Sequence, residues 1–420
     1  MIQTAADVLF VLAGILVIAC ILWDVYQTVV VPRPTPTRVR LARFVVRAMW
    51  DIWRRRAGRS RTADSRQRML GGFAPLVVVT LLFFWIVFLI LGYGLILYGL
   101  RSEMANEPDF GTALYQAGIS VLTIGYGDVV ARGIFSRIAE IAAGGTGVGV
   151  LALGVTYLFS LYGAFQRREE LVTTLDARAG APPSGITMLE TYARLGLWDD
   201  LRRTLADWEE WSARVLDTHV AYPILVYFRS SHDGESWIGA IGAVLDAAVL
   251  MATAVEAGPD GQPVPRGQAV MTIKGGAHLV EDVGNFFGFP DDAIPLVERA
   301  EFDAACERIR RAGLTLRTDP DTSWRSFSDL RSSYASRLNR MASYLLIPPS
   351  QWIGDRSPVP HTARLEQVFR FEGVREGSRL GALQLDSLPI TYLDGVPEAP
   401  LVELESRQLR RPGESIASDR

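Results

Sequence analysis

The six residues Thr123-Ile124-Gly125-Tyr126-Gly127-Asp128 have the types and spacing to hold a dehydrated cation on backbone carbonyls. Replacing a hydration shell that way needs carbonyls of successive residues to face one line, whereas an ordinary strand alternates them. Some residues must then take φ > 0, which glycine does at little steric cost. Gly125 and Gly127 alternate with Ile124 and Tyr126, whose side chains can point away and brace the column. Thr123 adds a hydroxyl at one end and Asp128 a carboxylate at the other.

Other reactive residues form weaker patterns. Cys20 and Cys306 give neither metal spacing nor a disulfide framework. His219, His232 (in His232-Asp233-Gly234-Glu235) and His278 (near Glu281 and Asp282) fit no zinc or calcium pattern. They are expected as caps and surface groups. No Ser-His-Asp or Cys-His arrangement is present, so a non-enzyme is expected. Gly144, Gly145, Gly147 and Gly149 loosely mimic a dinucleotide-binding loop, but apolar helix-like sequence surrounds them. Close helix packing or bending is the better reading.

Positioning the six residues falls to long apolar segments. Three stretches reach the roughly 20 residues needed to cross a bilayer: Ala5 to Val31, Phe73 to Leu100 and Ile134 to Phe165. The first runs past Cys20 without a break, so it is read as a membrane helix and not as a cleaved leader. Through Phe165 there are 15 arginines against 9 acidic residues, a net of +6, so the remainder carries −9 of the overall −3. The basic residues concentrate between the first two spans, from Arg33 to Arg68. The positive-inside rule places that segment in the cytoplasm, the N-terminus outside, and the loop holding residues 123–128 on the outer side. Arg40, Arg43, Arg47, Arg54 and Arg55, interleaved with apolar residues, read as an interfacial helix on anionic lipid headgroups. The charge pattern gives no sign of nucleic-acid binding.

Asp109 to Leu122 reads as a short helix, capped by Asp109 and too short to cross. Its C-terminal end would turn a partial negative charge toward a cation. With these residues in view, the stretch from Phe73 to Phe165 resembles the two-helix pore domain of prokaryotic, including bacterial, tetrameric potassium channels. The likeness is ungapped from Tyr115 through Gly147. The resemblance implies K⁺ ions on Thr123, Ile124, Gly125, Tyr126 and Gly127, and a homotetramer. It also implies a Tyr115–Asp128 hydrogen bond supporting the filter, and a gating hinge at Gly147, with Gly144, Gly145 and Gly149 as neighbours able to share it. Ile119 stands where some members carry a glutamate, which puts filter gating through that carboxyl in doubt. Glu140 is expected to pair with Arg137.

Beyond Arg168 the pattern is soluble and helical, with candidates at Ile186–Leu195, Asp199–Thr218, Ser236–Glu256, Gly267–Phe287, Pro295–Ala312 and Ser323–Leu346. Strands are not evident. The expected organisation is a peripheral membrane helix (1–32), a basic interfacial segment (33–72) and a pore domain (73–168). The pore domain divides into outer helix 73–100, pore helix 109–122, filter 123–128 and inner helix 134–165. A helical cytoplasmic regulatory domain (169–350), with an unknown ligand, and a poorly ordered tail (351–420) follow. The fold class expected is thus an all-α membrane protein with three transmembrane helices per subunit and a re-entrant pore helix, sited in the cell (inner) membrane. Two other readings stay open: a non-selective cation channel, and a membrane-anchored signalling or binding protein whose pore does not conduct.

Overall fold

The computed structural model describes residues 5–31, 41–60, 62–230 and 235–353. Arg33, Arg38, Arg40, His232 and the tail from residue 354 onward lie outside the described residues. The fold is that of an all-α membrane protein. Among the described residues, three helices are long and apolar enough to cross a membrane.

Helix α1 (Ala5–Val25) ends in one π-helical turn, Tyr26–Val30. It lies along α4 (Phe73–Gly99), and glycines set how close the two come. A Cβ on Gly14 would run into the Gly92 carbonyl, and one on Gly99 would come within 2.7 Å of the Asp7 carbonyl. Polar contacts lock both ends. Asp7 pairs with Arg101 at 2.5 Å, and Trp85 Nε1 donates to Asp24 Oδ2 at 2.8 Å. Asp24 is buried, so its carboxylate needs that donor. Trp85→Phe should therefore lower the thermal midpoint of the full chain in detergent, by the equivalent of roughly 1–3 kcal/mol. Trp23→Phe, on the exposed side of α1, should leave it in place. Equal midpoints for the two variants would dismiss the Asp24 contact as a stabilising one.

Helix α2 (Leu41–Gly58) is amphipathic as expected, burying Ala42, Val45, Trp50 and Ala57 and exposing Phe44, Arg47 and Ile52. Arg54 differs from its expected lipid-facing role, since its guanidinium lies 5.7 Å over the Tyr344 ring of the C-terminal part. A short helix, α3 (Ala63–Gly71), leads into α4.

The helix after the filter, α6 (Ile134–Ala179), does not stop near Phe165 but continues unbroken for a further 14 residues. At 1.5 Å per residue its 46 residues span about 70 Å. Val172, Leu175 and Ala179 are buried against the C-terminal part, so the expected boundary at Arg168 falls inside a continuous helix.

That part is helical: α7 (Gly185–Arg194), α8 (Leu201–Ala221), α9 (Trp237–Thr253), α10 (Arg266–Phe287), α11 (Arg299–Arg311), α12 (Pro320–Ser332) and α13 (Ala335–Tyr344). α9 is its centre, buried on every side. Three expectations change. The helix expected to Glu256 stops at Thr253 and gives way to β1 (Val255–Ala257), which pairs antiparallel with β2 (Thr315–Leu316). The segment Ser323–Leu346 is two helices. His219 is neither a cap nor a surface group: it is buried against the Trp237 ring. The Asp246 carboxylate on α9 meets Arg331 Nε at 2.8 Å and the Tyr334 hydroxyl at 2.6 Å, a fully buried cluster that holds α12 and α13 to α9.

Candidate functional site

Helix α5 (Phe110–Val121) is the short helix expected ahead of the filter, and Asp109 caps it by accepting from Thr112 N at 2.7 Å. It leans on α4 at Gly94, where a Cβ would come within 3.2 Å of Leu114 Cα. Its last carbonyls do not end free. Ile119 O accepts from Ile124 N at 2.7 Å and Gly125 N at 3.3 Å, while Ser120 O accepts from Thr123 N at 3.0 Å. The helix end is thus tied directly to the start of the 123–128 segment, which satisfies carbonyls that a helix C-terminus leaves unpaired.

In that segment φ is positive at every second residue: +54° at Thr123, +59° at Gly125 and +77° at Gly127. The glycines supply the left-handed conformation that the alternating pattern demands. Thr123 adopts it too, which its β-branched side chain makes costly and which its type does not announce. The Tyr115 hydroxyl has the Asp128 carboxylate as its polar neighbour. In the single chain the surface around these residues is bare: Tyr126 is 72% exposed, Ile124 48% and Tyr115 42%.

The stretch after residue 128 is stitched to the segment after α4. Ala105 N donates to Val130 O at 2.9 Å, and Arg132 N to Glu103 O at 2.8 Å. The Glu103 carboxylate then accepts from Phe135 N and Ser136 N at 3.0 and 3.1 Å, capping α6 where its N-terminus carries partial positive charge. Sequence reading missed Glu103, because a cap more than thirty residues away has no local signature.

On α6, Glu140 does not meet Arg137. Its Oε1 accepts from Gln116 Nε2 of α5 at 2.6 Å, and Arg137 Nε donates to Ala131 O at 3.3 Å. A carboxylate therefore does stand beside α5, delivered by α6 and not from position 119.

The glycines of α6 separate into distinct environments. Gly147 is buried, and a Cβ there would land in the Val121 carbonyl, with the carbonyl carbon 2.8 Å away. Gly144 lies 3.5 Å from Ser120 O by the same measure, while Gly145 and Gly149 face open space. α6 runs helical across all four. The geometry at Gly147 is a close approach between α6 and the last residue of α5.

Of the basic residues expected at lipid, Arg43 is half-buried and Arg47 and Arg55 are exposed on α2. His278 lies 3.4 Å from Asp282, one turn along the exposed face of α10.

Further along α6, Arg168 is fully buried and binds the C-terminal part to the helix. It donates to Leu225 O at 2.9 Å and Phe228 O at 2.8 Å, and lies 3.3 Å from His219 Nε2. An arginine can only donate, so His219 Nε2 is the acceptor and its Nδ1–H donates to Val215 O at 2.8 Å. Trp211 Nε1 returns a bond to Arg168 O at 2.9 Å.

Neither a curated protein nor a solved structure matches the chain. Over residues 76–163, which hold most of α4, all of α5, the filter segment and the first two-thirds of α6, the chain matches the family model described as Ion channel.

Proposed function

We propose that the chain is one subunit of a homotetrameric, K⁺-selective channel, with the filter carbonyls of residues 123–127 as its ion-binding groups. The observation that carries the reading is the alternation of positive φ at Thr123, Gly125 and Gly127. A backbone of that shape can line an axis with carbonyls from consecutive residues and replace a hydration shell. Irregular backbone at membrane depth is tolerated where it is buried in protein and lines a water-filled path. The bare surface at Tyr115, Ile124 and Tyr126 supports assembly with copies of itself, because one filter strand offers only one side of a coordination cage. Tyr126 favours K⁺ selectivity over a non-selective pore. The excess of arginine between α1 and α4 favours a cell-membrane protein with the N-terminus outside and the C-terminal domain in the cytoplasm. That domain, joined to α6 through Arg168, gates or steadies the pore.

The test is K⁺ flux from liposomes holding the full-length protein, with Na⁺ outside, with and without Ba²⁺. Barium-blocked flux selective for K⁺ is expected. Gly125→Ala should abolish the flux or its selectivity: alanine pays roughly 1–2 kcal/mol in the left-handed region, and a tetramer meets that cost four times. An unchanged, selective current in the alanine variant would remove the filter assignment. Reversal potentials near zero in mixed Na⁺ and K⁺ would favour a non-selective pore.

A further inference from the structure

The 3₁₀ turn Arg101–Glu103, between α4 and α5, is held on two sides by different membrane helices. On one side Arg101 carries α1. Its guanidinium pairs with the buried Asp7 carboxylate and lies 4.8 Å over the Tyr98 ring. Phe10 of α1 meets that same ring edge-on at 5.0 Å. On the other side, two residues on, Glu103 carries the start of α6 and the stretch before it. Its carbonyl accepts from Arg132 N and Gly133 N, and its carboxylate from Phe135 N and Ser136 N. The fit leaves no slack, since a Cβ on Gly133 would run into the Glu103 side chain. Tyr98 extends the contact to Phe110, the first residue of α5, at 5.6 Å. The end of α1 is thus joined to both helices that flank residues 123–128, to α6 through the turn and to α5 through Tyr98.

We infer that α1 braces the outer mouth of the pore, with Asp7 as a positioning residue that acts through Arg101 and Glu103 on residues 129–136. Apolar packing alone would not do this. Lipid tails are as apolar as the side chains of α1, so burial gives a membrane helix no fixed place beside its neighbour. A buried carboxylate does, because it is stable only beside its partner. A strut also resists movement only when its far end is fixed. At the far end of α1, Asp24 accepts from Trp85 Nε1 of α4 and from Ala42 N at the start of α2. Between the two ends, Gly14 lies against the Gly92 carbonyl of α4. Residues 129–136 follow the filter directly, so their freedom to move sets how well residues 123–127 keep their carbonyls in line. That consequence for conduction rests on the channel reading above, whereas the mechanical link does not.

The test reads amide hydrogen exchange by mass spectrometry on the full-length protein in nanodiscs, alongside K⁺ and Na⁺ flux from liposomes. Asp7→Ala removes the anion and leaves the turn itself untouched. Exchange over residues 129–136 should rise roughly tenfold, the scale of losing one partner of a buried charged contact. Exchange over α9 should stay as in the parent. Asp7→Asn, which still offers Arg101 an acceptor, should show a smaller rise. Gly14→Ala is an independent route, since it keeps every polar group and forces α1 off the Gly92 carbonyl. It should raise exchange over the same residues 129–136. In both Asp7→Ala and Gly14→Ala, K⁺ flux should decay faster or admit Na⁺. Unchanged exchange over 129–136 in either variant would overturn the inference. An equal rise over α9 would overturn it too, as a general loss of the fold. Raised exchange with parental flux and selectivity would make α1 an anchor without bearing on conduction, which also removes the positioning role. A parent that passes no K⁺, yet whose 129–136 exchange still answers to Asp7, would leave the brace standing and count against the channel reading alone.

Discussion

Gly147→Ala is expected to be among the most damaging single substitutions in this chain. Most glycines in helices are improved by alanine, which gains about 0.8–1 kcal/mol of helix propensity. At Gly147 the added methyl meets a backbone carbonyl, that of Val121, and a carbonyl at the end of α5 cannot rotate away as a side chain would. Either α6 or α5 must shift, and α5 is tied through Ile119 and Ser120 to the filter backbone. Overpacking of this kind costs roughly 1–3 kcal/mol, at the upper end where the obstacle is backbone. The variant should lose several degrees of thermal midpoint in detergent and lose K⁺ flux with it. Gly145→Ala and Gly149→Ala, facing open space, should hold or raise the midpoint of the isolated chain. A hinge role alone predicts something else: Gly147→Ala with an unchanged midpoint and altered gating. That result would return Gly147 to the bending role that resemblance assigns to it.

Arg168→Met should be comparably severe, at the other end of the same helix. Removing the guanidinium leaves Leu225 O and Phe228 O buried without their donors, and the expected loss is roughly 3–5 kcal/mol. The C-terminal part should then unfold at lower temperature than the membrane part, giving two transitions where one is expected of the parent. A single transition at the parent's midpoint would mean that Arg168 does not join the two. The same cluster has a pH signature. Burial first, and the Arg168 charge second, hold the His219 imidazole well below its ordinary value. The folded chain keeps it neutral, while an unfolded chain would take up a proton near pH 6.5. Stability from this source is therefore full above about pH 6.5 and declines as the pH falls below it. His219→Gln should flatten that decline in a thermal midpoint series from pH 7.5 to 5.5.

Residues that declare themselves locally were legible before any coordinates. The three spans are runs of apolar residues too long for other roles, Asp109 sits where a cap belongs, and the glycine alternation at 125 and 127 admits few backbones. What stayed hidden depends on distant partners. Arg168 lies in the charged run Gln166–Glu170, which reads as a solvated helix end, and only α8 and the 223–228 segment make it a buried one. That is why the apolar pattern alone ends the helix near Phe165. Local spacing matches Glu140 to the nearest arginine on its own helix, because Gln116 comes from another element. Thr123 takes a positive φ that its side chain disfavours, imposed by its bond to Ser120 and by the residues that follow. The β1–β2 pair is too short for alternation to register.

The aromatic cluster between α2 and the C-terminal part bears on how the protein is made. Trp50 meets Phe73 edge-on at 4.9 Å and Tyr227 edge-on at 5.0 Å, and Tyr344 closes the group at 5.8 Å. The first two residues leave the ribosome roughly 150 residues ahead of Tyr227, at a synthesis rate that makes the wait many seconds. For that interval Trp50 and Phe73 lack the ring of Tyr227 that packs on them in the finished chain. The late-made helices are completed on a surface that the early-made ones have already laid down. A translation arrest before Tyr227 would leave Trp50 and Phe73 bare, and a separately made C-terminal fragment would expose the opposite half, Tyr227 with Phe287 and Tyr344. Order of synthesis, in this chain, is also the order in which its core is assembled.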